Sequence, residues 1–179
     1  MENTNTEYTR LPFHTRLLTL YTKSRLPTLG AIHLVDKKYI WEPTDWGKAA
    51  EVVLKSIQRS PKIVSIQEYV VMPNHIHLIV SYHHHTPHIL DWFTANCKQM
   101  MNSYMLHIKH TSYPVWEHAF HSVKIRHDCT LNMLCENLRT HHSRWQYDSL
   151  RQDAQAAVLQ EKERIQTSKK SAKKRKQNT

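Results

Sequence analysis

The stretch Tyr69 to Tyr82, YVVMPNHIHLIVSY, constrains this chain most. Two apolar runs of strand length flank Met72, Pro73 and Asn74, and proline cannot donate to a central ladder, so the spacing predicts a turn between antiparallel strands. Alternate residues of a strand face one side. His75 and His77 therefore project together, while Ile76, Leu78 and Val80 project to the opposite face. Two imidazoles on one spot are a candidate metal site, although HxH alone also fits two ordinary polar strand positions.

Further signals are consistent with a single catalytic-sized module. A strand is expected at about 14–22, a hairpin at 31–41, and a helix at 46–59 capped by Thr44 or Asp45, with Trp46, Ala49, Val52, Val53 and Ile57 close to a helical stripe. Strands at 62–71 and 75–82 follow, then a helix with Thr86 as N-cap and Pro87 first, running to about 107. Its inner face is Ile89, Leu90, Phe93, Cys97, Met101 and Tyr104. Phe120 to Ile125 reads as a strand, and Asp128 as the cap of a third helix to about 141 with Leu131, Leu134 and Leu138 inward. This order predicts an α+β, ferredoxin-like sandwich, an antiparallel sheet with helices packed on it. The expected organisation is an arm over 1–13, the domain over 14–148, and a polar helix with a disordered basic tail over 149–179.

Composition excludes several classes. Only Gly30 and Gly47 are glycine, so a Gly-rich phosphate loop is ruled out. No apolar run approaches the length of a membrane span, and MENTNTEYTR has no secretory core, so a cytoplasmic protein with no membrane partner is expected. Three cysteines, Cys97, Cys129 and Cys135, without CxxC spacing fit reduced thiols. The formal charge is +10, but from Arg164 onward there are seven bases and no acid, leaving eighteen bases against fifteen acids before it. Lys169, Lys170, Lys173, Lys174, Arg175 and Lys176 are thus candidate DNA-binding residues, or simply a solubilising tail. Lys124 and Arg126 flank Ile125 and are candidates for phosphate contact, or the charged defence of an edge strand. The histidines at 83–85 and His88 read as a solvated, weakly metal-scavenging patch or as base-stacking groups, and Trp116 and Trp145 as core or as base-stacking anchors.

YVVMPNHIHLIV resembles the signature of the HUH single-tyrosine transposases of small insertion sequences, especially their REP-associated tyrosine transposase branch. VWEHAFHSVKIRHD is similar to that family's last strand leading into its final helix, and RWQYD to the segment beyond. The likeness covers about residues 14–148. It implies DNA transposition chemistry on single-stranded DNA with hairpins or palindromic repeats, and a divalent metal held by His75 and His77. Manganese or magnesium is implied, with zinc also accommodated, and a homodimer is compatible with the family.

The family's helix tyrosine attacks a phosphodiester to leave a phosphotyrosine intermediate, with an amide ligand four residues later. Matching Phe120, His121, Ile125, Arg126 and Trp145 without a gap sets Asn137 at the tyrosine and His141 at the amide. A carboxamide is no nucleophile, so binding without cleavage is the expectation. His141 becomes a candidate third ligand sharing a helix face with Asn137, in a set that favours manganese, zinc or nickel over magnesium. Two alternatives stay open: an active transposase using Tyr147 as the nucleophile, and a three-histidine metal protein unrelated to DNA.

Overall fold

The computed structural model describes residues 10–60, 63–83, 86–110 and 113–177; the side chains of residues 10, 12 and 168–177 lie outside that description. Six strands run over Arg10–Thr22 (β1), Gly30–Val35 (β2), Lys38–Pro43 (β3), Val64–Val71 (β4), His75–Tyr82 (β5) and Trp116–His127 (β6). Four helices run over Asp45–Arg59 (α1), Ile89–Lys109 (α2), Asp128–Arg139 (α3) and Ser149–Gln177 (α4). Short 3-10 helices cover Lys23–Arg25 and His141–Tyr147.

The main sheet has the order β4-β5-β1-β6 with all neighbours antiparallel, and β2 and β3 form a separate hairpin. Without that hairpin the chain reads βαββαβ, the split arrangement of the ferredoxin-like fold. The α+β sandwich expected from the sequence is the fold observed.

Register assigns each side chain to a face. His77 lies opposite Thr19 on β1 and Val70 on β4, and Thr19 lies opposite His121 on β6. Paired residues share a face, so one side of the sheet carries His75, His77, Ile79, Thr19, Tyr21, Val70 and His121. The other carries Ile76, Leu78, Val80, Leu18, Leu20 and Ile66, all buried in the main core under Leu54 of α1 and Phe93, Cys97 and Met101 of α2. Each such leucine or isoleucine, removed from water, contributes about 1.5–3 kcal/mol. On the histidine face a smaller core gathers Val70, Met72, Ile79 and Ile125 under Leu138, Trp145 and Ala154.

Helix starts differ in how well the sequence announces them. Thr44 caps α1, its side chain accepting from the Gly47 N–H at 3.2 Å. A Cβ on Gly47 would run into the carbonyl oxygen of Leu29, so glycine there lets the helix seat on the preceding loop. α2 departs from expectation: Thr86 and Pro87 precede the helix, and its N-cap is His88, in the left-handed region at φ 60°. At α3 the cap position is His127, and Asp128 is the first helical residue, accepting from the Cys129 N–H. β1 starts at Arg10 rather than 14, and β6 spans twelve residues rather than six.

α3 ends at Arg139, not 141, because Thr140 leaves the helical region (φ −100°, ψ 7°). The backbone of the basic segment is helical as part of α4, where composition alone suggests disorder. Its Ala, Gln, Lys and Arg content favours helix. The side chains of Lys169, Lys170, Lys173, Lys174, Arg175 and Lys176 lie outside the described residues. So do His84 and His85. Among the described residues no helix is long and apolar enough to cross a membrane.

Candidate metal centre

His75 and His77 open β5 and point to the same face, with their Nε2 atoms 3.1 Å apart. His141, first residue of the second 3-10 helix, and Asp148, the residue before α4, complete the group. Its four ligand atoms lie within 4.8 Å of one another. His141 Nε2 is 3.0 Å from Asp148 Oδ2, and His75 Nε2 is 3.6 Å from the same oxygen. Ligand atoms about 2.1 Å from one ion lie about 3.0 Å apart at right angles and about 3.4 Å apart at tetrahedral angles. The His75–His77 and His141–Asp148 spacings lie in that range, and the His75–Asp148 spacing just beyond it. Three imidazoles and one carboxylate suit manganese or zinc better than magnesium, which prefers oxygen.

The surrounding hydrogen bonds fix how the ligands are presented. Asn74 Nδ2 donates to the Leu150 carbonyl at 2.8 Å, so its Oδ1 is turned to His75 and accepts from Nδ1–H, also at 2.8 Å. The Nε2 lone pair of His75 is thereby left for the cluster. His77 Nδ1 lies 2.9 Å from Thr19 Oγ1, a hydroxyl that serves either tautomer by donating or accepting. With Nδ1 protonated on both rings, two lone pairs face each other at 3.1 Å, an arrangement that a cation between them resolves. Asp148 Oδ1 accepts from the Leu150 N–H at 2.8 Å, the bond of an N-cap, which turns Oδ2 to the cluster and its hydrogen bond with His141.

Burial and mutual repulsion keep the two strand imidazoles, His75 and His77, neutral. Burial, then the adjacent His77, holds His75 well below its ordinary value, with Asp148 opposing. Burial, then His141, lowers His77 to about 4. Burial opposes ionisation of Asp148, yet the hydrogen bond to His141 and the proximity of His75 outweigh it and hold the carboxyl below its usual range. Neutral His75 and His77 beside an ionised Asp148 are protonation states that suit metal ligation.

Packing brings His141 to the sheet. Buried Trp145 anchors the 3-10 helix, its ring centroid 6.3 Å from that of His75. The next histidine, His142, donates from Nε2 to the Val71 carbonyl at 2.8 Å and stacks on Trp41 of the hairpin at 5.1 Å. Burial lowers its pKa, so it too stays neutral.

The other sequence-derived candidates divide by position. Asn137 and His141 do not share a continuous helix face, since Thr140 separates them, and Asn137 Oδ1 accepts from Arg144 Nη1 at 2.7 Å instead. Tyr147 directly precedes Asp148 and is 81% exposed. Lys124 pairs with Arg16, so it lies on the face opposite the histidines; Arg126, two residues on, alternates to that same side and away from the cluster. Trp116 and Trp145 are core, and Tyr104 packs against the main core. His88 is exposed, with Nδ1 3.3 Å from Asp91.

Sequence reasoning missed Asp148 and Asn74. The signal for Asp148 was present as an acid followed by serine at a helix start, closing the RWQYD segment. Asn74 stood in the turn itself.

No family model and no curated protein matches the chain. Among solved structures, the chain is similar to a REP-associated tyrosine transposase bound to a REP hairpin, at 14% identity over 79% of this chain and 72% of that one, with a TM-score of 0.46. It is also similar to a candidate transposase from Deinococcus radiodurans R1, at 18% identity over 79% of this chain and 98% of that one, with a TM-score of 0.43.

Proposed function

We propose that this chain is a transposase-like protein that binds folded single-stranded DNA at a divalent-metal site formed by His75, His77, His141 and Asp148, without forming a phosphotyrosine intermediate. The observation that carries the reading is the convergence of these four ligand atoms within 4.8 Å, on the strand that bears the MPNHIH element. When bound, the metal supplies Lewis-acid polarisation of a phosphodiester oxygen. Asn74 and Thr19 orient the two strand histidines, and burial of His75 excludes water from that side. Asp148 contributes the negative charge that a divalent ion needs.

Asn137 supports binding without cleavage: its carboxamide is not nucleophilic, and its oxygen is engaged by Arg144. Incubation with labelled DNA hairpins and manganese should give a retarded complex that EDTA or His77→Ala weakens, and no covalent protein–DNA band on a denaturing gel. Hairpin binding that is absent, or indifferent to the metal, contradicts the reading. A second reading has one observation in its favour, since the exposed Tyr147 adjoins the ligand Asp148. A covalent band abolished by Tyr147→Phe would establish Tyr147 as the nucleophile.

A further inference from the structure

Tyr21 lies directly opposite His75 across the β1–β5 pair, so its side chain stands beside the histidine cluster on the same face. The Arg25 guanidinium lies over the Tyr21 ring, its Cζ 3.4 Å from the ring centroid. Stacking on an aromatic face holds a guanidinium flat while leaving its edge donors free. Among the described residues Arg25 has one charged partner, Glu117, with Oε2 3.4 Å from Nη1. That approach lacks hydrogen-bond geometry, and the buried Nη1 makes no hydrogen bond. A buried donor left unpaired costs about 1–3 kcal/mol.

The backbone that presents Arg25 is strained and fixed. Ser24 and Arg25 both occupy the left-handed region, at φ 54° and 55°, which non-glycine residues adopt at a cost. Thr22 locks this turn: its N–H donates to the Asn74 carbonyl at 3.0 Å, and its hydroxyl lies 2.9 Å from that oxygen and 2.7 Å from the Leu26 carbonyl. Lys23 N–H donates to the Val115 carbonyl at 2.7 Å. The turn that carries Arg25 is therefore tied to the residue preceding His75.

We infer that Arg25, braced on Tyr21, is a phosphate-holding residue beside the histidine cluster, and that Glu117 occupies its guanidinium until a phosphodiester displaces it. This rests on the reading under Proposed function. A planar guanidinium with unspent donors matches two oxygens of a phosphodiester, and a carboxylate is the natural competitor for the same fork. Exchange of Glu117 for phosphate moves no covalent bond; it replaces a poorly aligned ion pair with paired donors.

The test is fluorescence anisotropy of labelled single-stranded oligothymidylate on the full chain, with manganese and with EDTA, across a salt series. Arg25→Gln should weaken binding about tenfold in manganese and reduce the salt slope by about 0.7. The loss should be smaller in EDTA, because the arginine and the metal act on one phosphate. Arg25→Lys keeps the charge without the fork and should lie between the two; it is also the variant to use if Arg25→Gln does not fold. Glu117→Gln should tighten binding severalfold, which a purely structural brace would not do. Unchanged affinity in Arg25→Gln with intact metal binding overturns the inference, as does a loss that is equal with and without metal. Unaltered or weakened binding in Glu117→Gln removes its competitor role. Wild-type protein that binds manganese but no DNA overturns the functional reading and this inference together.

Discussion

Asn74 is the residue whose removal should reveal most about the cluster. It holds His75 in one tautomer while anchored to the start of α4, so Asn74→Ala leaves the imidazole free to protonate on Nε2. Loss of such a partner costs about 10–100-fold in metal affinity, and manganese titration of the folded variant checks this. The two strand histidines also set a pH dependence. In the unfolded chain both titrate near 6.5, whereas in the fold His75 lies well below that value and His77 at about 4. Between about pH 4 and 6.5 the unfolded state thus binds more protons, so metal-free stability falls as pH drops through that window and is flat with respect to these groups above it. The depressed Asp148 adds a loss of the same sign at the acid end. Urea midpoints in EDTA at pH 7, 5.5 and 4.5 should decline in that order; a rise on acidification contradicts the neutral buried pair.

At the scale of elements, the second 3-10 helix does what the sequence assigned to the end of α3. His141 reaches the cluster because Trp145 buries against Val70, Met72 and Ile79 and because His142 is bonded to the edge of β4. Trp145→Ala should therefore lower stability by about 3–5 kcal/mol and weaken manganese binding in the same variant. Tryptophan loss that destabilises the fold but leaves the metal affinity intact would show that the segment does not position His141. Gly47→Ala tests a different joint: its Cβ meets the Leu29 carbonyl, and about 1–3 kcal/mol of destabilisation is expected by chemical denaturation.

These two elements also mark what the sequence made legible. Thr44, the helical stripe of α1 and the alternation across 75–82 carry local signals, and each element lies where its signal predicts. Thr140 carries no breaker signal, so the end of α3 was invisible. The cap of α2 was misplaced because His88 adopts a left-handed conformation that histidine rarely announces.

On the scale of the whole molecule, sheet order and register decide which candidates can cooperate. The strand histidines were legible as a pair because they belong to one strand. Asp148 was not, because its approach to His75 depends on how three segments far apart in sequence pack together. Lys124 and Arg126 suggested a phosphate contact by alternation alone, yet parity through Thr19 and His121 turns them from the histidine face. Arg25, on the cluster side, carried no motif at all.

The most direct test of the central claim is crystallography of the protein soaked in manganese, with anomalous differences recorded near the metal edge. The expected result is one strong peak bounded by His75 Nε2, His77 Nε2, His141 and Asp148 Oδ2, lost in His77→Ala. A folded protein with no peak at that position, or with its ordered manganese elsewhere, would contradict it.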